Sequence, residues 1–376
     1  MEAAKTDEQI TLPDRSTVGG SLLELIAVCG EFPTDQLIRL PGGEYYKENV
    51  IKELKRKHLI RTFYKNGLRG YRLTAKAKEL LLAVSSSRFS FSLSGSCETN
   101  HIKSEITKRL RLHRMAETTI SMRNAGVNIY RDEKIAVFSP EWEGGTPSVP
   151  SFYNSREVKE LGTPFVKIAG ARSIGVLLTD YGVFVTYNLG NSLMKWEYKS
   201  EMRTKVLVQT VLCRDRLPAV YQPDDVQGLI FGNSMELAFE ILCASGGKQY
   251  FILDGNYEHF YFFTNDRYGE RLLHLLCHRQ EANMLEQLLR SDLSEGSSGY
   301  SIENDAFDAR GDPVLFGYFC DLPRIRRFDT ALSLQGRNGT LICFDFQKEA
   351  LARYCGDHVT FRTIDFEKYE RRFFEK

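Results

Sequence analysis

Residues 44–78 read EYYKENVIKELKRKHLIRTFYKNGLRGYRLTAKAK, and this stretch decides the fold of the first part of the chain. Its first third carries apolar residues at helical spacing, and two β-rich runs, LIRTFYK and LRGYRL, meet at Asn66-Gly67. Asn-Gly is a strong hairpin signal because both central positions of a type I′ turn need a positive φ. The sequence therefore predicts a helix from about Glu44 to His58, followed by a two-stranded hairpin.

The sequence on either side completes a small domain. After Gly19-Gly20, Ser21 is predicted to cap a helix with the sequence LLELIAVC, and Thr34 is predicted to cap a short second helix. Thr74 is predicted to cap a closing helix, AKAKELLLA. Three helices followed by a hairpin indicate a winged helix-turn-helix over residues 21–84, preceded by a flexible segment at 1–20.

Positive charge is concentrated in this domain. The whole chain has a net charge of only +1, whereas residues 44–78 hold eleven Lys or Arg against three Glu. Such a concentration favours double-stranded DNA as the partner, because cations that contact phosphates release counterions. The alternative is a solvated basic face on a module that binds protein. The predicted DNA contacts are Tyr45, Asn49, Lys52, Lys55 and Arg56 on the third helix, and Lys65, Arg69 and Arg72 on the hairpin.

The rest of the chain indicates a linker and a second domain. Residues 85–100 are rich in serine, which is typical of a domain boundary, although the alternation of Phe89, Phe91 and Leu93 also fits an edge strand. A long helix with a basic first half is predicted from His101 to Ala125. Strands and helices then alternate to the end, so residues 101–376 are predicted to form an α/β domain with a mixed sheet, able to dimerise or bind a partner protein.

Composition limits the class of protein. The 376 residues are enough for two domains, and 42% of them are hydrophobic, as in globular proteins. No apolar run approaches the roughly 20 residues that a bilayer crossing needs, and the polar N-terminus does not resemble a secretory signal. The eight cysteines are scattered without a CxxC pair. We therefore expect a cytoplasmic protein without a membrane segment.

A candidate active site lies in the second domain. If IGVLLT, VFVTY and SLMKW are three successive antiparallel strands, Asp180 and Glu197 emerge at the same sheet edge, with Lys199 beside them. An Asp followed by Glu-x-Lys is the pattern of Mg²⁺-dependent nucleases, in which the carboxylates bind the metal and the lysine assists the attacking water. The alternative is ordinary turn chemistry at Asp180 and ordinary surface residues at Glu197 and Lys199.

Other chemistries have weaker patterns. His274 and His278 stand one helical turn apart with Cys277 between them, which suits two zinc ligands, but no second ligand pair follows. Tyr257 and Tyr261 flank His259, and packing explains these tyrosines more simply than nucleophilic catalysis. The glycines before Lys248 lack the remainder of a phosphate-binding loop, and no His-x-His cluster suits a relaxase.

Four segments in order, RLHRMAE (111–117), FYNSREVKELG (152–162), ARSIGVLLTDYG (171–182) and YNLGNSLMKWEYKSE (187–201), follow the winged-helix pattern. In the order and general character of these segments, residues 20–215 resemble the replication-relaxation family of proteins from plasmids and integrative conjugative elements. The resemblance implies DNA work in plasmid replication, transfer or its control, and a second domain related to restriction-endonuclease-like folds. The alternatives are a metal-dependent endonuclease or nickase that uses Asp180, Glu197 and Lys199, and a winged-helix transcriptional regulator.

Overall fold

The computed structural model describes residues 11–166, 170–244, 251, 253, 255–295 and 302–374. Helices combine with three sheets in these ranges, so the chain is an α/β protein of the α+β type, which confirms the predicted fold class. Contacts divide the chain into two units. The first comprises Met1–Ile120 and Tyr130–Lys134, and the second comprises Ser121–Ile129 and Ile135–Lys376.

The first unit begins with helix α1 (Val18–Cys29), which is buried along its whole length. It starts earlier than predicted, because Thr17 rather than Ser21 provides the cap and accepts a hydrogen bond from the Gly20 amide. Strand β1 (Glu31–Pro33) and a 3₁₀ helix (Thr34–Arg39) follow.

Helix α2 (Glu44–Arg56) and strands β2 (Ile60–Lys65) and β3 (Leu68–Leu73) then form at the predicted positions. Asn66 and Gly67 have φ values of 52° and 77°, as a type I′ turn requires. The sequence did not reveal β1, which pairs with β3 and makes the sheet three-stranded in the order β1-β3-β2.

The first half of the predicted linker 85–100 is a helix. Residues after α3 (Ala75–Val84) form helix α4 (Ser86–Leu93), in which Phe89 and Leu93 lie on one buried face, so the expectation of an edge strand was wrong. Buried Arg88 forms ion pairs with Glu24 on α1 and with Asp132 and Glu133. The boundary between the units accordingly falls beyond 85–100, within helix α5 (Ile106–Asn124).

The second unit contains a five-stranded mixed sheet in the order β4-β5-β6-β7-β8, in which β4, β5 and β6 are antiparallel and β6, β7 and β8 are parallel. Its strands and the helices between them are β4 (Ser151–Asn154), α6 (Ser155–Val158), α7 (Thr163–Val166), β5 (Gly175–Leu178), β6 (Val183–Gly190), α8 (Tyr198–Val208), β7 (Val226–Gly232), α9 (Glu236–Cys243) and β8 (Phe260–Thr264). The predicted hairpin partner of β8 lies mostly outside the described residues, as do the glycines before Lys248.

A second sheet of this unit follows helices α10 (Arg267–Cys277) and α11 (Arg279–Leu289). Strand β9 (Ala306–Phe307) is antiparallel to β10, whereas β10, β11 and β12 are parallel and connected through helices, as the strand–helix–strand pattern predicted. The elements are β10 (Pro313–Phe316), α12 (Leu322–Gln335), β11 (Gly339–Phe344), α13 (Asp345–Tyr354), β12 (Val359–Ile364) and α14 (Phe366–Phe373).

All eight cysteines fall in the described ranges, and each is a free thiol. No helix within those ranges has both the length and the apolar character needed to cross a membrane.

Candidate nucleic-acid interface

The exposed face of α2 carries the polar side chains that the sequence singled out. Ile51 and Leu54 are buried on the opposite face, which fixes the rotation of the helix. Five predicted contacts consequently face solvent, and Tyr45 is 76% exposed. These five residues are Tyr45, Asn49, Lys52, Lys55 and Arg56.

The outer end of the hairpin adjoins this helix face. The Lys55 ammonium lies 5.5 Å from the ring centre of Tyr71 on β3, so α2 and the sheet meet there. Arg69 lies two residues before Tyr71 on the same strand, and alternation places both on one sheet face. Exposed Tyr64 on β2 is the cross-strand neighbour of Arg69 and shares that face. We call the five helix residues, together with Tyr64 and Arg69, the reader surface.

Tyr64 was missed by the sequence analysis, although a signal for it existed. A two-residue Asn-Gly turn fixes the register of the hairpin, so that Tyr64 must oppose Arg69. Successive side chains of a strand point to opposite faces of the sheet, so the predicted DNA contacts Lys65 and Arg69 lie on opposite faces of the hairpin. Lys65 is exposed on the other sheet face, where its Nζ lies 3.5 Å from Ser104 Oγ. The structure therefore brings Arg69, but not Lys65, onto the side of α2.

Arg72 is not a surface residue, and its prediction as a DNA contact is corrected. It lies on the same sheet face as Lys65, but closer to the interior, where it is buried. Its Nε and Nη2 donate hydrogen bonds of 2.8 and 2.6 Å to one carboxylate oxygen of Glu31 on β1. Its guanidinium is thus committed to an internal ion pair.

Glu31 is the centre of a buried charge cluster. Besides Arg72, Arg109 on α5 pairs with this carboxylate, and His113 Nε2 lies 2.9 Å from Oε1. Burial alone would raise the pKa of Glu31, but hydrogen bonds from His113, Arg109 and Arg72 outweigh burial and lower the pKa to about 2. The cluster therefore holds an ionised glutamate inside the first unit.

Arg109 also fixes the hairpin directly. Its guanidinium donates to the carbonyl oxygens of Lys65 at 2.9 Å and Leu68 at 3.1 Å, the residues on either side of the turn. It also lies 4.7 Å from the ring centre of Phe63 on β2. One buried side chain consequently sets the position of the hairpin tip.

Some cations of the reader surface have acidic neighbours in the same helix. Arg56 makes two 2.8 Å hydrogen bonds to Glu53, and Lys52 lies 3.8 Å from Glu48. These pairs are exposed, and exposed pairs stabilise little because water screens them. Seven of the eleven cations in residues 44–78 are exposed, and four of them, Lys52, Lys55, Arg56 and Arg69, lie on the reader surface. Glu48 and Glu53 are their acidic neighbours, so the surface keeps a positive excess.

The nuclease hypothesis required three successive strands that end at one sheet edge, and the third of these strands does not form. Residues 192–196 are not a strand, because β6 ends at Gly190 and Met194 and Trp196 pack into the core outside the sheet. Asp180 lies in the turn before β6, whereas Glu197 directly precedes α8 after β6 has ended. Asp180, Glu197 and Lys199 are all exposed. The argument from three successive strands therefore does not place the two carboxylates together.

The predicted aromatic segment is internal. Tyr257 is buried and shares a 2.9 Å hydrogen bond with the Tyr187 hydroxyl. Burial raises the pKa of Tyr261, which disfavours the phenolate that a nucleophile needs. His259 Nδ1 lies 2.6 Å from Asp321 Oδ2. These contacts give the tyrosines packing roles.

Comparison with protein-family models, with curated proteins and with solved structures finds no match to this chain.

Proposed function

We propose that the first unit is a winged helix that binds double-stranded DNA, with α2 in the major groove and the hairpin over the adjoining phosphates. One observation carries the proposal: the exposed face of α2 and the neighbouring face of the hairpin form one surface of Lys, Arg, Asn and Tyr side chains. Lysine and arginine bind phosphates, and asparagine and arginine also bind base edges.

The biological setting is the second part of the proposal. The resemblance of residues 20–215 to the replication-relaxation family suggests action in the replication, transfer or control of a plasmid or integrative element. In that setting the second unit would provide a partner or dimer contact. Control of transcription is the alternative use of the same reader surface.

Binding of a 30-base-pair duplex, measured by fluorescence anisotropy between about 50 and 200 mM salt, tests DNA recognition. The double variant Lys52→Ala/Arg56→Ala removes two cations, and each lost phosphate contact reduces the slope of log K against log salt by about 0.9. We therefore expect weaker binding and a slope that is shallower by about 1.8.

The chain contains a matched control for this double variant. Lys368 and Arg372 on α14 are also exposed, with the same residue types at the same spacing. Lys368→Ala/Arg372→Ala removes equal charge and should leave both affinity and slope unchanged. If both double variants lost the same affinity, the loss would follow from net charge alone, and a reader surface on α2 would be refuted. No binding by the wild-type chain at 50 mM salt would refute DNA as the partner.

A further inference from the structure

The corner between α10 and α11 brings together three side chains with metal-binding atoms. His274 lies in the last turn of α10, His278 at the corner, and Glu281 in the first turn of α11. Their ligand atoms all lie within 4.8 Å of one another, and they form the one such group found among the described residues. Glu281 is the third ligand that the sequence pattern of His274 and His278 lacked.

Hydrogen bonds orient both imidazoles for coordination. His274 Nδ1 lies 3.0 Å from the carbonyl oxygen of Ala125, and His278 Nδ1 lies 2.7 Å from the carbonyl oxygen of His274. A carbonyl only accepts hydrogen bonds, so each Nδ1 must carry the proton, and in the neutral ring Nε2 keeps its lone pair. Such a second hydrogen bond is typical of histidines that bind metals.

The carboxylate of Glu281 points to a shared cation. Its Oε2 is buried and makes no hydrogen bond, although His274 Nε2 lies only 2.8 Å away. The contact of His274 Nδ1 with the carbonyl of Ala125 places the ring proton on Nδ1, so that in the neutral ring the Nε2 lone pair faces this carboxylate oxygen. Two lone pairs would then face each other across a short distance, and a bound cation would relieve their repulsion.

We propose that His274, His278 and Glu281 bind one divalent transition-metal ion, with Zn²⁺ as the best-matched candidate. Two imidazole nitrogens and a carboxylate oxygen are the donors of three-ligand zinc sites, whose remaining position is open to water. Ligands of a tetrahedral zinc ion lie about 3.3 Å apart, so modest side-chain movement from the present contacts accommodates the ion. Mg²⁺ and Ca²⁺ prefer all-oxygen sites and are not expected. This inference is independent of DNA binding.

A second buried polar group lies close to this corner. The hydroxyl of Tyr369 on α14 has no hydrogen-bond partner in the described structure. The ring centre of Tyr369 lies 5.9 Å from that of Phe374, whose ring centre in turn lies 4.9 Å from that of His274.

Calorimetric titration of the untagged, metal-free chain of 376 residues with Zn²⁺ tests the site. We expect one ion per chain, and Co²⁺ at the same site should give a visible absorption band of a four- or five-coordinate ion. Loss of a residue that only hydrogen-bonds to a metal ligand can weaken metal binding roughly 100-fold. Glu281→Gln and His278→Gln each remove a ligand, so each should weaken Zn²⁺ binding by at least that factor.

His358→Gln is the matched control, because His358 also bonds a carboxylate, at 3.0 Å from Asp329, but belongs to no metal-binding group in the described structure. Its affinity for Zn²⁺ should equal that of the wild type, and circular dichroism verifies folding of every variant. Absence of Zn²⁺ binding and of a Co²⁺ band in the wild-type chain would mean that His274 and Glu281 form only an ion pair. Wild-type affinity in both Glu281→Gln and His278→Gln would overturn the proposal equally.

Discussion

Neutralising Glu31 should destabilise the first unit strongly, although Gln has almost the same shape. Glu31 is fully buried between two guanidinium groups, and its pKa falls from 4.5 to about 2. Each pKa unit corresponds to about 1.4 kcal/mol, so the ionised carboxylate contributes about 3 kcal/mol at neutral pH. Removal of one member of a buried ion pair typically costs about 3–5 kcal/mol, which agrees with this figure.

The pH dependence has a definite sign. Because folding depresses the pKa of Glu31, its contribution is complete above about pH 5 and is lost as the pH falls from about 4.5 towards 2. The wild-type unit should therefore lose about 3 kcal/mol more than the Glu31→Gln variant over this interval. The difference between the two proteins isolates Glu31 from the other carboxylates that titrate in the same range.

Hydrogen exchange measured by mass spectrometry can follow the first unit separately. The amides of β3 should exchange on the order of 100-fold faster in Glu31→Gln at neutral pH, since about 3 kcal/mol of opening free energy is lost. Both tryptophans, Trp142 and Trp196, lie in the second unit, so the unfolding transition seen by their fluorescence should not move.

Glu53 supplies the control, because a hydrogen bond from Arg56 lowers its pKa to about 2 as well, but its side chain is exposed. Glu53→Gln should leave the exchange of β3 nearly unchanged, since water screens an exposed pair. Equal effects of Glu31→Gln and Glu53→Gln would show that burial does not decide the strength of these pairs, and would refute the reasoning.

Two further substitutions test the positioning of the hairpin and the packing of the second unit. Arg109→Met removes the buried clamp on the hairpin turn. DNA affinity should fall and the salt slope should become shallower by about 0.9, because a displaced hairpin loses the phosphate contact of Arg69; unchanged affinity would mean that Arg109 does not position the hairpin for DNA. Gly269→Ala would place a Cβ 1.8 Å from the carbonyl oxygen of Thr264. The urea midpoint followed by tryptophan fluorescence should therefore fall, with a loss in the free energy of unfolding of at least the roughly 1–3 kcal/mol typical of overpacking. An unchanged midpoint would contradict the tight packing at the start of α10.

The elements that the sequence predicted well are those determined by neighbouring residues. The hairpin formed where Asn66-Gly67 predicted it, and Thr74 caps α3 by accepting a hydrogen bond from Ala77. A turn with two positive φ angles and a helix cap both depend on a few consecutive side chains. Sequence reasoning therefore located α2, β2, β3 and α3 to within a few residues.

Elements that depend on distant partners were missed. In the serine-rich segment, Phe89 and Leu93 fit helical spacing, whereas the alternation with Phe91 suggested a strand. Burial against α1 decides in favour of the helix, and Arg88 binds Glu24 from 64 residues away. In SLMKW, apolar side chains suggested a strand, but Met194 and Trp196 lie outside the strands of the described structure and pack into the core. The spacing of apolar residues in a sequence shows which side chains are to be buried, but it does not show which helix or strand packs over them.

The net charge of residues 44–78 counted from the sequence is larger than the positive charge exposed on the surface for a DNA duplex to contact. Lys47 and Arg72 belong to the eleven cations of residues 44–78, but both are buried, and Arg72 neutralises Glu31. Seven exposed cations limit the salt slope of this region to about −6, since each phosphate contact contributes about −0.9. A steeper wild-type slope would require cations outside residues 44–78, of which Lys103 before α5 and Arg111 on α5 are exposed in the same unit. A slope steeper than about −6 would therefore show that residues 44–78 do not account for the whole DNA contact.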